Sequence, residues 1–131
     1  IQEHCNSDEL FNYAESNSVK THLLRDIRKN KKAPVKILED IITKNKSKKV
    51  ILSFDMDAVQ MAYAPGVSAP QADGFTASEF LEFCDLSGKS SNVISIGFFE
   101  VAPNLDCADM TSKLAATGLY RFCMEYSRRK K

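Results

Sequence analysis

The sequence is poor in histidine and carries no excess of either charge. Two histidines stand among 131 residues, 18 Lys and Arg balance 17 Asp and Glu, and the formal net charge is +1. That balance creates no global field toward nucleic acid or a membrane surface. No apolar run reaches the roughly 18 residues that a helical membrane span needs. The four cysteines, Cys5, Cys84, Cys107 and Cys123, form no CxxC pair, so neither a zinc site nor a disulfide framework is expected. Reduced thiols in a packed interior are expected instead. This fits an intracellular, reducing compartment; the cytoplasm is the expectation, with an organelle left open. Repeats and low-complexity tracts are absent. The chain opens on Ile1 rather than Met, as expected of a processed product or a piece of something longer.

What is present is ordinary for a globular domain: 44% hydrophobic and 27% charged residues, enough chain for one core. The spacing of apolar residues predicts a short helix over "DELFNYAES". A second is predicted from Val19 to Asn30, with Val19, Leu23, Leu24 and Ile27 on one face. Pro34 suits the first position of a third helix, which runs to about Asn45. The lysines that follow, Lys44, Lys46, Lys48 and Lys49, read as a solvated helix end. "VILSF" is a continuous apolar run of the kind buried on both faces of a parallel sheet. After a loop rich in Pro and Gly, Thr76 and Glu79 form a capping box. The helix it opens should stop at Gly88. "NVISIGFF" is the second buried strand. A last amphipathic helix spans about Asp109 to Tyr126, with Met110, Leu114, Ala115, Leu119, Phe122 and Cys123 as its apolar positions. The tail "SRRKK" is expected to fray. Strand, helix, strand, helix is the order of a parallel α/β sheet. Two strands are too few to stand alone, so neighbouring strands are expected from elsewhere.

Asp55 and Asp57 close the first strand in "ILSFDMDAV". Strand alternation would aim both carboxylates to one side. Such a pair repels unless a cation lies between the two or one is protonated. Oxygen ligands of this type suit magnesium, calcium or manganese. The other reading is that one aspartate caps a loop or helix while its neighbour is solvated. Glu100 ends the second strand, at the same edge of a parallel sheet, where α/β folds bind ligands. His22, within a helical pattern, and His4, in a turn-like segment, are not expected to bind metal.

"SFDMDAV", "APGVSAP", "GFTASEF" and "FFEVAPNLD", in that order, resemble the second half of the ureohydrolase superfamily of arginases, agmatinases and formimidoylglutamases. The "APGVSAP" loop looks closer to the formimidoylglutamase branch. The resemblance implies an α/β fold, the C-terminal half of an arginase-like three-layer domain with a parallel sheet flanked by helices. Residues 1–131 would then be the C-terminal part of one domain. It implies that Asp55 and Asp57 are manganese ligands, one able to bridge two ions, and that Glu100 binds the cationic group of a linear amidine or guanidine. Family members use a two-manganese centre to make hydroxide at neutral pH, which attacks the amidine carbon. The remaining ligands lie in histidine- and aspartate-rich motifs of the family's first half. A missing N-terminal half or a partner chain is therefore implied, as is a homo-oligomer; neither nucleic acid nor a membrane span is implied.

The chain departs from the family pattern at Ala102, where an Asn is usual, and at Gly97, where many members carry Asp. It departs again at Gln60-Met61 in place of Asp-Pro and at Ala69, where arginases carry a hydroxyl. These changes leave the substrate open. Gly97 and Ala102, with the missing ligand motifs, also support an alternative, an arginase-like non-catalytic assembly module. A non-hydrolytic magnesium or calcium binder is the third reading.

Overall fold

A computed structural model describes residues 6–129. His4, Cys5 and the last two lysines of the tail lie outside the described residues. The chain divides into two compact units, Ile1–Pro34 and Val35–Lys131.

The first unit holds α1 (Asp8–Ser16) and α2 (Leu24–Lys29). The Ser7 hydroxyl caps α1 by accepting from the Leu10 N–H, and Asp8 and Glu9 favour its positive end. The predicted helix over Val19–Asn30 is realised only in its second half. Ser18 turns the chain through a left-handed conformation at φ 54°. Leu23 is extended, and Val19 is 55% exposed. Within the unit, Leu24 and Ile27 are buried.

From the unit boundary onward follow α3 (Pro34–Lys44), whose first residue closes the first unit, β1 (Val50–Asp55), a short 3-10 turn (Met56–Ala58), α4 (Ala77–Lys89), β2 (Val93–Phe99), a second 3-10 turn (Pro103–Leu105) and α5 (Met110–Ser127). Pro34 does open α3, and Lys44, Lys46, Lys48 and Lys49 are exposed as expected. The capping box also forms: the Thr76 hydroxyl accepts from the Glu79 N–H while the Glu79 carboxylate accepts from the Thr76 N–H.

The strands pair in parallel, with Leu52 opposite Ile96, Phe54 opposite Phe98 and Asp55 opposite Phe99, after an irregularity between Val50 and Ile51. Phe54 and Phe98 stack at 5.6 Å, and both rings meet Phe80 of α4. Around them Met56, Val59, Ala64, Val67, Phe80 and Cys84 form the core, with Leu114 and Ala115 packed against it. The expectation of strands buried on both faces is corrected. Burial along β1 alternates, and Ile51, Ile94 and Phe99 are more than half exposed. Among the described residues the sheet has two strands, and its inward residues pack on the core that Phe80 and Cys84 of α4 share with Leu114 and Ala115 of α5.

Helices α4 and α5 touch closely because glycines meet side chains. A Cβ on Gly118 would lie 2.8 Å from the Phe80 ring and 2.9 Å from the Cys84 sulfur, and one on Gly88 would lie 2.6 Å from the Phe122 carbonyl oxygen. Gly88 is thus a contact position inside α4, which runs one residue beyond it, and not the helix stop the sequence suggests. The inward stripe of α5 is buried Thr111 and Gly118 with half-buried Leu114 and Ala115, while Met110, Leu119 and Cys123 are exposed. Of the described cysteines only Cys84 is interior; Cys107 and Cys123 are exposed. Burial pushes the Cys84 thiol up to about 12, with the Asp85 charge adding to the effect. Within the described part of the tail, Arg129 is held against the rest of the second unit rather than frayed. Arg129 donates to the Ser87, Gly88 and Val93 carbonyls at 2.9, 2.6 and 3.1 Å and lies 4.2 Å over the Tyr126 ring.

Candidate active site

Asp55 is the last residue of β1, and Glu100 is the first residue after β2. Parallel pairing puts Asp55 opposite Phe99, so both acids leave the same edge of the sheet. The chain departs from strand geometry directly after Asp55. Met56, fully buried, anchors a 3-10 turn, and the Asp55 carboxylate accepts from the Asp57 N–H at 2.9 Å. Strand alternation is therefore not what gathers the two aspartates; a capped turn does so. Asp55 plays the capping role that the competing reading assigned to one aspartate, and its side chain remains exposed.

Asp57 is the least satisfied group in the unit. Its Oδ1 is the one buried side-chain oxygen or nitrogen without a hydrogen-bond partner among the described residues. Its carboxyl is pushed up, first by burial and then by the Asp55 charge. The Ala69 N–H pulls it the other way, the Glu100 charge adds to the rise, and the Ser68 hydroxyl also lowers it. Glu100 holds a left-handed backbone at φ 64°, a conformation that non-glycine residues adopt at a cost. Its Oε2 accepts from the Ser68 hydroxyl at 3.0 Å.

Two backbone links set that meeting: Val67 bridges Val101 antiparallel, and the Ala102 N–H donates to the Gly66 carbonyl at 2.8 Å. Below them, Asp106 organises the start of α5. It accepts from the Thr111 and Ser112 N–H groups at 3.0 and 2.9 Å and from the Ser112 hydroxyl at 2.9 Å. Burial works against the charge of Asp106, but these bonds hold its carboxyl down at about 2. The Thr111 hydroxyl accepts from the Gly66 N–H at 2.7 Å. Any Cβ on Gly66 would strike Asp106 at 2.5 Å, so the loop can approach only with glycine there.

The family model described as Arginase family matches residues 1–124. The chain belongs to the arginase family. It is 33% identical over 118 residues to the formimidoylglutamase of Bacillus subtilis strain 168, covering 88% of this chain and 36% of that protein. The solved formimidoylglutamase structure from B. subtilis superposes with a TM-score of 0.90 at 30% identity, over 100% of this chain and 41% of that one. The Trypanosoma cruzi formiminoglutamase solved with Mn2+ gives the same TM-score at 27% identity, over 99% of this chain and 42% of that one. The chain thus spans little more than a third of the length of the curated relative and shares the α/β arginase fold. The relatives' names are those of hydrolases, and the T. cruzi structure carries manganese.

An arginase-family metal fits these residues on the observation of Asp57 alone. A carboxylate oxygen that is buried, unpaired and crowded by two more acids is stabilised by a cation, and oxygen donors suit manganese. The described residues supply only part of such a site, because no group of three or more His, Cys, Asp or Glu side chains among them could hold an ion. His22 is exposed in the first unit. Sequence reasoning missed Ser68 and the Asp106–Thr111–Gly66 anchor. Asp106 stands four residues ahead of α5, a spacing that signals a cap only once the helix start is known. An open hollow lined by Met61, Ala62, Pro65, Pro70 and Ala72 lies on the same loop and has no charged side chain in its wall.

Proposed function

We propose that this chain is the C-terminal part of a manganese-dependent hydrolase acting on a linear amidine or guanidine of the formiminoglutamate, agmatine or arginine type. Formamide or urea is released. Asp55 and Asp57 hold two manganese ions together with ligands from an N-terminal part or partner chain, and Glu100 binds the cationic end of the substrate. The observation that carries the reading is the orphaned Asp57 Oδ1 beside Asp55 and Glu100. When bound, manganese supplies Lewis-acid activation of water at neutral pH. The chain's own contribution is positional. The turn capped by Asp55 presents Asp57, and the left-handed Glu100 aims a carboxylate at the same rim, where it offsets the charge of an amidinium. A homo-oligomer fits the family resemblance.

The test is elemental analysis of the natively purified full-length protein, followed by a panel of amidines and guanidines. Manganese together with turnover of one panel member supports the reading; a metal-bearing protein inert to all of them refutes it. A second reading, a non-catalytic assembly module, is favoured by the small number of metal-ligating side chains gathered here and by Gly97 and Ala102. A first half without histidine- and aspartate-rich motifs would decide for it.

A further inference from the structure

We propose that Ser68 is a positioning residue for substrate recognition: its hydroxyl fixes the Glu100 carboxylate for the planar cation of the substrate. The proposal rests on the hydrolase reading above and names a group that reading does not use.

The geometry is built rather than incidental. Ser68 is exposed, yet the residues before it are not. Gly66 and Val67 are buried, and Val67 belongs to the core. The backbone on each side of the Ser68–Glu100 contact is tied to the other by the Val67–Val101 bridge and the Ala102-to-Gly66 bond. Gly66 is itself fastened to α5 through Thr111. The hydroxyl therefore emerges at a fixed point 3.0 Å from Glu100 Oε2. The left-handed backbone of Glu100 turns its side chain into this meeting at a conformational cost.

A long glutamate side chain loses much rotamer freedom when a ligand fixes it. A bond already made to one oxygen removes part of that loss before the substrate arrives. The hydroxyl has one proton and two lone pairs. With the proton on Oε2, the serine oxygen and Glu100 Oε1 are left as acceptors. Two acceptors side by side match the forked N–H groups of an amidinium or guanidinium. Alanine at 68 removes the proton and one acceptor together.

The experiment compares wild type, Ser68→Ala and Ser68→Thr in the full-length manganese-loaded protein, with kcat and KM measured across formiminoglutamate, agmatine and arginine. Manganese per chain is measured in parallel. For whichever substrate the wild type turns over, Ser68→Ala should raise KM about tenfold, the scale of one charge-assisted hydrogen bond. Its kcat should stay within about twofold and its manganese content should be unchanged. Ser68→Thr, which keeps the hydroxyl, should restore KM. In a Glu100→Gln background the Ser68→Ala step should raise KM much less. An active wild type with an indifferent Ser68→Ala overturns this inference and leaves the hydrolase reading intact. Loss of manganese in Ser68→Ala overturns it too, since the main service of the hydroxyl would then be to Asp57, which it also faces, and not to Glu100. A wild type inert to all three substrates overturns the hydrolase reading and this inference with it.

Discussion

Between α4 and α5 the polar groups have partners. The Ser87 hydroxyl donates to the Phe83 carbonyl at 2.6 Å, and Arg121 grips both oxygens of Asp85, Nε to Oδ1 at 2.7 Å. Thr111 serves Gly66, and glycines let the helices close over Phe80 and Cys84. At the strand exits the same unit does the reverse. Asp57 Oδ1 has no hydrogen-bond partner among the described residues, Glu100 sits at φ 64°, and the charges of Asp55 and Glu100 both push the Asp57 carboxyl up. One region is arranged for stability. The other keeps unfavourable features that a ligand would relieve, which is how functional sites differ from scaffolds.

The contrast can be broken from either side. The largest effect is expected at the rim and on activity: Asp57→Asn in the full-length protein should lower kcat/KM at least about a hundredfold by removing a metal ligand. Next comes the helix pair. Gly118→Leu must push Phe80 and Cys84 aside and should destabilise by about 3 kcal/mol, read as a fall in denaturation midpoint. Asp85→Ala leaves Arg121, which is 34% exposed, to recover only part of its hydration and should cost about 1–2 kcal/mol. Smaller, and opposite in sign, is Asp57→Asn in metal-stripped protein. Replacing a partly buried charge that is crowded by Asp55 and Glu100 with a neutral amide should raise stability by up to about 1 kcal/mol. The variant expected to lower activity should thus strengthen the fold, and a melting curve of the stripped protein checks it.

The smallest effect concerns acid. The Asp106 carboxyl is held at about 2, below the usual unfolded value of about 3.9. A group depressed by folding contributes stability that is fully present above the unfolded value and is lost as pH falls through the folded one. Melting followed between roughly pH 4 and pH 2 should show this loss, and Asp106→Asn should flatten it.

The reach of the sequence has a physical boundary. Strand β1, the capping box and the acids at the strand exits are legible because they are local patterns of apolar run, Thr-x-x-Glu and carboxylate spacing. Asp106, Thr111 and Gly66 act across 40 or more positions of chain, and nothing in their neighbours reports that contact. Gly88 reads as a helix stop because glycine is common there, while its use against Phe122 depends on α5. The face of α5 is legible in part for a related reason: Leu114, Ala115 and Phe122 are partly buried as the apolar spacing predicts, while Met110 and Leu119 are exposed and the tightest contact falls on small Gly118, where close approach selects for size. Arg129 reads as a frayed tail until the α4 carbonyls it caps are in view.

If Asp55 and Asp57 form a metal-binding edge, manganese content of the full-length protein, wild type against Asp57→Asn, reports it without any assay of activity. About two ions per chain are expected in the wild type, with a clear loss in the variant. Equal manganese in both, or none in the wild type after loading, would contradict it.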